Sequence, residues 1–152
     1  MSFIVLLDAG PLGLVTNPKA SPETLACKGW LEALLLSGAE VRIPEIADYE
    51  VRRELLRADK FRGVQRLDDL KKVLGYVPLT TLTMLKAAEL WAQIRKQGKS
   101  TADDRALDGD VILAAQATLL AREGNNIVIA TTNVGHLARF VQAKQWKDVT
   151  YE

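Results

Sequence analysis

The chain has 152 residues, enough for one domain with a sizeable core, and its 48% hydrophobic and 26% charged residues are ordinary for a globular protein. A net charge of +1 excludes a uniformly basic nucleic-acid binder, and a lone cysteine, Cys27, excludes an internal disulfide framework and a thiolate zinc site. No apolar run approaches the roughly 20 residues of a spanning helix, and the N-terminal FIVLL is too short for a signal-peptide core and lacks a basic segment before it, so no membrane association and a cytoplasmic location are expected.

In chain order, Phe3 to Leu7 form a continuous β-prone run, the pattern of a strand buried on both faces. The run ends on a carboxylate, Asp8, and the AGP after it reads as a bend that brings backbone close. Ser21 and Pro22 read as the N-cap and first residue of a helix over PETLACKGWLEALLLSG, stopped by Gly38. EVRIP is a short strand closed by Pro44, and EIADYEVRRELLRADK is a helix. VQRLDDLKKVLG reads as a further helix with Gly75 as its C-cap, and YVPL as a brief strand. TMLKAAELWAQIRKQG is helical to Gly98, KSTADDRAL is a polar loop, and DGDVILAAQATLLAREG is a helix with Asp108 at its N-cap. NIVIATT is a strand, NVGHLARFVQA a turn and helix, and DVTYE an added edge strand. Charge is segregated. Arg52 to Lys72 carries eight basic against four acidic residues, and Asp103 to Asp110 carries four aspartates and one arginine.

Strands alternate with helices throughout, with no long linker. The expectation is a single domain over residues 1–152, a three-layer α/β/α sandwich on a mainly parallel sheet with right-handed crossovers. In such folds sites form outside the carboxyl ends of the strands. Asp8 leaves its strand at that edge. Glu50 lies in the helix after VRIP, Asp110 with Asp108 nearby at the start of DVILAAQA, and Asn133 after NIVIATT. Carboxylates gathered there repel one another unless a proton or a cation intervenes. An oxygen-only set with no histidine pair points to Mg²⁺ or Mn²⁺ rather than zinc. Each residue also has a plainer role. Asp8 can cap the DAGP turn, Asp108 suits an N-cap better than a ligand, and Asn133 suits a strand-end turn. Glu50 can pair with Arg53, or Glu54 with Arg57, and spacing alone does not separate Glu50 from Glu54 on the same helix face. Thr131 or Thr132 can hold a carboxylate or simply favour the strand end, and His136 is read mainly as a tether for the turn after it.

With these residues in place the chain resembles the PIN-domain family, which includes the VapC-type toxins, over nearly its whole length. IVLLDAGPL resembles the strand that delivers the family's first aspartate, here Asp8. IPEIADYEVRREL resembles the helix carrying its glutamate, which falls on Glu50. LDGDVILAAQA resembles the D-x-x-I-A-A segment and places the third acid on Asp110, and VIATTNVGHLARF resembles the closing T-x-N-x-x-H-F signature at Thr131, Asn133 and His136. The resemblance implies metal-dependent cleavage of RNA, with Asp8, Glu50, Asp110 and Asn133 as catalytic residues and Asp8, Glu50, Asp110 and Asp108 around Mg²⁺ or Mn²⁺. Two departures stand out. Asn133 occupies the fourth acidic position, as in many members, and contributes no formal charge. Leu137 replaces a phenylalanine, a core substitution. The basic run beside Glu50 is expected to hold an RNA backbone. A VapC-like toxin implies a small antitoxin over the acidic groove, often by an inserted arginine, and a homodimer. The alternative is a PIN-like module that binds RNA or protein without cutting. A phosphotransfer enzyme is disfavoured, since DAGPL lacks a second aspartate two residues on and no GxxxxGK[ST] loop is present.

Overall fold

The computed structural model describes residues 3–98 and 104–151, with the backbone alone for 104–106. Among these residues five strands form an all-parallel sheet in the order β3-β2-β1-β4-β5. They are β1 Phe3–Leu7, β2 Glu40–Pro44, β3 Gly75–Val77, β4 Asn126–Thr131 and β5 Ala143–Gln145. The helices are α1 Ala9–Thr16, α2 Pro22–Leu36, α3 Glu45–Arg57, α4 Phe61–Val73, α5 Thr81–Lys96, α6 Asp104–Arg122 and the short α7 Val134–Leu137.

The unbroken apolar run of β1 is explained by what covers it. Ile4 and Leu6 pack with Leu113, Ala117 and Leu120 of α6 on one face. Val5 and Leu7 pack with Leu12 of α1, Leu31 of α2 and Val51 of α3 on the other. All four strand residues are fully buried, and each such side chain stabilises the fold by about 2 kcal/mol. The arrangement is the expected α/β/α sandwich on a parallel sheet. Leu137 is buried in the α6-side core. Cys27 is a buried core residue whose thiol desolvation pushes up to about 12. Among the described residues, no helix is long and apolar enough to cross a membrane.

Five local readings are corrected. The residues after Asp8 form helix α1 rather than a bend. Pro11 is tolerated because it falls in the first turn, where its missing N–H has no intrahelical partner anyway. Gly75 is not the C-cap of α4, which is Leu74; it is the first residue of β3 and pairs with Arg42. A Cβ on Gly75 would stand 2.7 Å from Arg42 Cγ, so the close approach of β2, not a helix end, calls for glycine. Helix α6 starts at Asp104, so Asp104 to Leu107 of the expected loop are helical, and Asp108 lies inside the helix rather than at its N-cap. Asp103 lies outside the described residues. The edge strand is β5, not DVTYE, because Trp146–Asp148 turn into a short 3₁₀ segment that buries Trp146. β1 pairs with β2 on one side and β4 on the other, so the chain reverses direction across the sheet at β1. The carboxyl ends of β1 and β4 therefore flank the crevice where sites form.

Candidate active site

Asp8 stands where β1 becomes α1. Its backbone N–H donates to Ala130 O at 3.0 Å, continuing the β1–β4 ladder by one residue, while Leu12 N–H donates to its carbonyl at 3.0 Å to start the helix. The side chain is fixed at both oxygens. Oδ1 accepts from Ala9 N–H at 2.7 Å, and Oδ2 accepts from the Thr131 hydroxyl at 2.7 Å. Thr131 Oγ1 also accepts from Asn133 N–H at 2.9 Å, so one buried hydroxyl ties the ends of β1 and β4 together. Burial raises the Asp8 pKa, and these two hydrogen bonds only partly oppose it.

Glu50 projects from α3 toward the same edge. Burial is the main reason its carboxyl is pushed up to about 6; the negative charges of Asp8 and Asp110 add to the rise, and Arg53 opposes it. Its Oε2 lies against Gly109, where an added Cβ would come within 3.0 Å. One turn further along α3, Glu54 is exposed and paired with Arg57 at 2.7 Å. The structure thus separates two glutamates that helical spacing leaves equivalent.

Asp110 comes from α6. Desolvation raises its pKa, as does Asp8, while His136 and Arg139 oppose the rise. Asp110 Oδ2 is buried and, among the described residues, has no hydrogen-bond partner of good geometry. His136 Nδ1 stands 3.4 Å from it, close enough for an ion pair when the imidazole is protonated. The same ring nitrogen lies 3.1 Å from the Asn133 amide, so Asn133 reaches Asp110 only through His136. Arg139 Nε donates to His136 O at 3.2 Å and holds that turn in place.

Asp8, Glu50 and Asp110 therefore share one electrostatic neighbourhood, with Asn133 at its rim. Asp108 does not join them. Two positions apart on a helix, Asp108 and Asp110 do not share a face. Asp108 is exposed and lines a groove with Met84, Trp91 and Ile112 between α5 and α6. His136 and Arg139 belong to the site's surroundings although the sequence offered little to reveal it. The closing signature flags His136 without its partner, since the contact runs to a helix 26 positions earlier, and Arg139 is hinted at only by standing three positions after His136. The donor chemistry suits a hard divalent cation: carboxylate oxygens only, one of them buried without a hydrogen bond. Among the described residues no three His, Cys, Asp or Glu side chains already close on a common ion position. A Mg²⁺ ion held by one or two carboxylates and waters requires no such enclosure.

No protein-family model matches the sequence, and no curated protein does. Solved structures do match. The chain is similar to one in VapBC2 from Rickettsia felis bound to a DNA fragment from its promoter, with 17% identity, TM-score 0.71, and 95% of this chain and 99% of that one covered. It is similar to one in DNA-bound VapBC from Salmonella typhimurium, with 16% identity, TM-score 0.67, and 96% and 99% covered. A third match is to VapBC-1 from nontypeable Haemophilus influenzae, with 16% identity, TM-score 0.63, and 96% and 100% covered. At these identities the likeness is one of fold.

Proposed function

We propose that this chain is a metal-dependent ribonuclease of the VapC toxin kind, acting in the cytoplasm on RNA phosphodiester bonds. One observation carries the reading: three carboxylates from three separate elements share one electrostatic neighbourhood, and each has its pKa raised by burial, Glu50 and Asp110 also by their acidic neighbours. Asp48 in α3 shows the alternative that a purely structural carboxylate takes. It is buried too, but held by Arg52 at 2.9 Å, Lys71 at 3.1 Å and the Tyr76 hydroxyl at 2.9 Å. Asp8, Glu50 and Asp110 would hold Mg²⁺ or Mn²⁺, with Asn133 in support. A bound ion would supply a Lewis acid for the phosphate and a more acidic water. Thr131 and Ala9 N–H set the orientation of the Asp8 carboxylate in advance. Glu50, at about 6, is mostly ionised at neutral pH and so available as a ligand.

The basic run contributes less to RNA than its length implies. Arg52 and Lys71 are engaged by Asp48, and Arg57 by Glu54, leaving Arg53, Lys60 and Arg62 exposed near α3 for a phosphate backbone. The VapBC neighbours support an antitoxin as a protein partner. Exposed Leu82, Met84, Leu85 and Trp91 along α5 support self-association as a homodimer. The test of the function is incubation with mixed-sequence RNA. Cleavage is expected with Mn²⁺, and none with EDTA or in Asp8→Asn. RNA left intact by the wild type with Mn²⁺ would instead favour a module that binds without cutting.

A further inference from the structure

We propose that the groove between α1 and α3 seats the nucleotide adjoining the scissile phosphate, a subsite that rests on the ribonuclease reading. The groove has a volume of about 340 Å³ and runs from Ala9 and Glu50, beside the carboxylates, to Asn17 and Lys60. One wall is a row of small and polar residues: Ala9 and Gly13, four positions apart on one face of α1, and Asn17, the residue that ends it. The other wall is α3.

Three features suit a strand of RNA rather than a protein segment. At the near end Glu50 belongs both to the groove and to the carboxylate cluster, so a chain cut there must pass its next residue into this space or into solvent. In the middle the wall at Gly13 has no side chain, which lets a flat base lie against the helix backbone. At the far end Lys60 carries no ion pair among the described residues, and Arg57 is neutralised by Glu54, so one net positive charge faces the next phosphate. The order of charges, acidic and then basic, is what a phosphate held through a cation and its neighbour held directly would require. Val51 and Leu55 leave part of the wall apolar for a base face, without making the groove a trough for an apolar peptide.

Gly13 also provides the test. It lies inside α1 and lines the groove, and a Cβ built on it meets nothing within 4 Å, so a side chain there starts into open space. Gly29 of α2 is equally uncrowded and exposed, away from the groove, and serves as the matched control. Gly13→Leu, Gly29→Leu and Lys60→Gln would be compared with wild type by steady-state cleavage of a short RNA with Mn²⁺, with melting curves alongside. Gly13→Leu should raise KM about tenfold, the order of one seated nucleotide's contacts, with kcat within twofold and no fall in Tm. Gly29→Leu should match wild type. Lys60→Gln should raise KM and reduce its dependence on log salt by about 0.7, the contribution of one phosphate on a single strand. An unchanged KM in both Gly13→Leu and Lys60→Gln, with wild type cleaving, overturns the subsite while leaving the ribonuclease reading intact; a groove that serves only a protein partner would give that result. A fall in kcat alone in Gly13→Leu overturns it too, because that would mean disturbed carboxylates rather than a filled seat. A wild type that cleaves nothing removes both readings.

Discussion

Asp8 and Asp48 carry the same side chain into protein interior and titrate in opposite directions. Burial opposes ionisation at both. At Asp48 the hydrogen bonds from Arg52, Lys71 and Tyr76 and the charge of Arg52 outweigh it, and the pKa falls. At Asp8 one hydroxyl and one backbone N–H do not, and it rises. The same logic makes Glu50 a probe of the site. Its pKa is higher folded, about 6, than its ordinary 4.5, so protons favour the folded state. Its contribution to stability is fully present below about 4.5 and is lost as pH rises through about 6. Glu50→Gln should therefore stabilise the metal-free protein at pH 7 by about 1 kcal/mol, discounted for the solvent that reaches the carboxylate, and change little at pH 4. Urea melts in EDTA at the two pH values check this; equal effects at both would contradict it. Gly109 gives the site a second residue-scale test. Alanine there gains up to about 1 kcal/mol of helix propensity, but its Cβ would press on Glu50 Oε2 at 3.0 Å. Gly109→Ala should cut cleavage roughly tenfold, the rate effect of about 1.4 kcal/mol, without lowering Tm. Wild-type cleavage by this variant would show that Glu50 has room to spare.

At the scale of elements, what the sequence revealed depended on how local the cause was. The strand β1, the capped start of α2 at Ser21 and the β2–α3 join at Pro44 are signalled within a few residues, and they stand where expected. Helix α1 was hidden because Gly10, Pro11 and Gly13 are turn-formers, and only Pro11's first-turn position makes the helix possible. Strand β5 was hidden because AKQ has no apolar alternation; it forms by pairing with β4 at a distance in sequence. The α3–α4 hairpin is latched by a network no local pattern shows: Asp48 bonds Arg52 in its own helix and Lys71 in α4, and Arg52 bonds Asp68 at 2.8 Å. Asp48→Asn should destabilise the protein by about 2 kcal/mol at pH 7, since it takes the buried carboxylate from Lys71 and leaves Arg52 with Asp68 alone. Because the Asp48 pKa is lowered, this contribution is present above the ordinary value near 3.8 and is lost as pH falls through the lower folded value. Denaturant midpoints at pH 7 and pH 3 should converge for the two proteins in acid; a constant gap would deny the latch its ionic character.

For the whole molecule, the order of elements converts three unremarkable acidic residues into a cluster. Asp8 was legible because it stands where β1 ends, at the edge where α/β sheets place sites, whereas Glu50 and Asp110 lie in the second turn of α3 and α6 and were legible through the resemblance of their segments. Asp108 was read as an N-cap because the helix start was misplaced, and moving that start back to Asp104 puts it inside α6, two positions from Asp110 and off its face. The proposed self-association through the exposed apolar residues of α5 belongs to this scale, and light scattering at high micromolar concentration should give a dimer; a monomer would remove that proposal. The central claim is that the three carboxylates form one site for a divalent cation. Calorimetric titration with Mn²⁺ at pH 7 measures it without reference to any substrate. Wild type and Asp108→Asn should bind alike, while Asp8→Asn, Glu50→Gln and Asp110→Asn should each weaken binding at least about tenfold, or about 1.4 kcal/mol. Equal Mn²⁺ affinity in wild type and the three site variants would contradict the account.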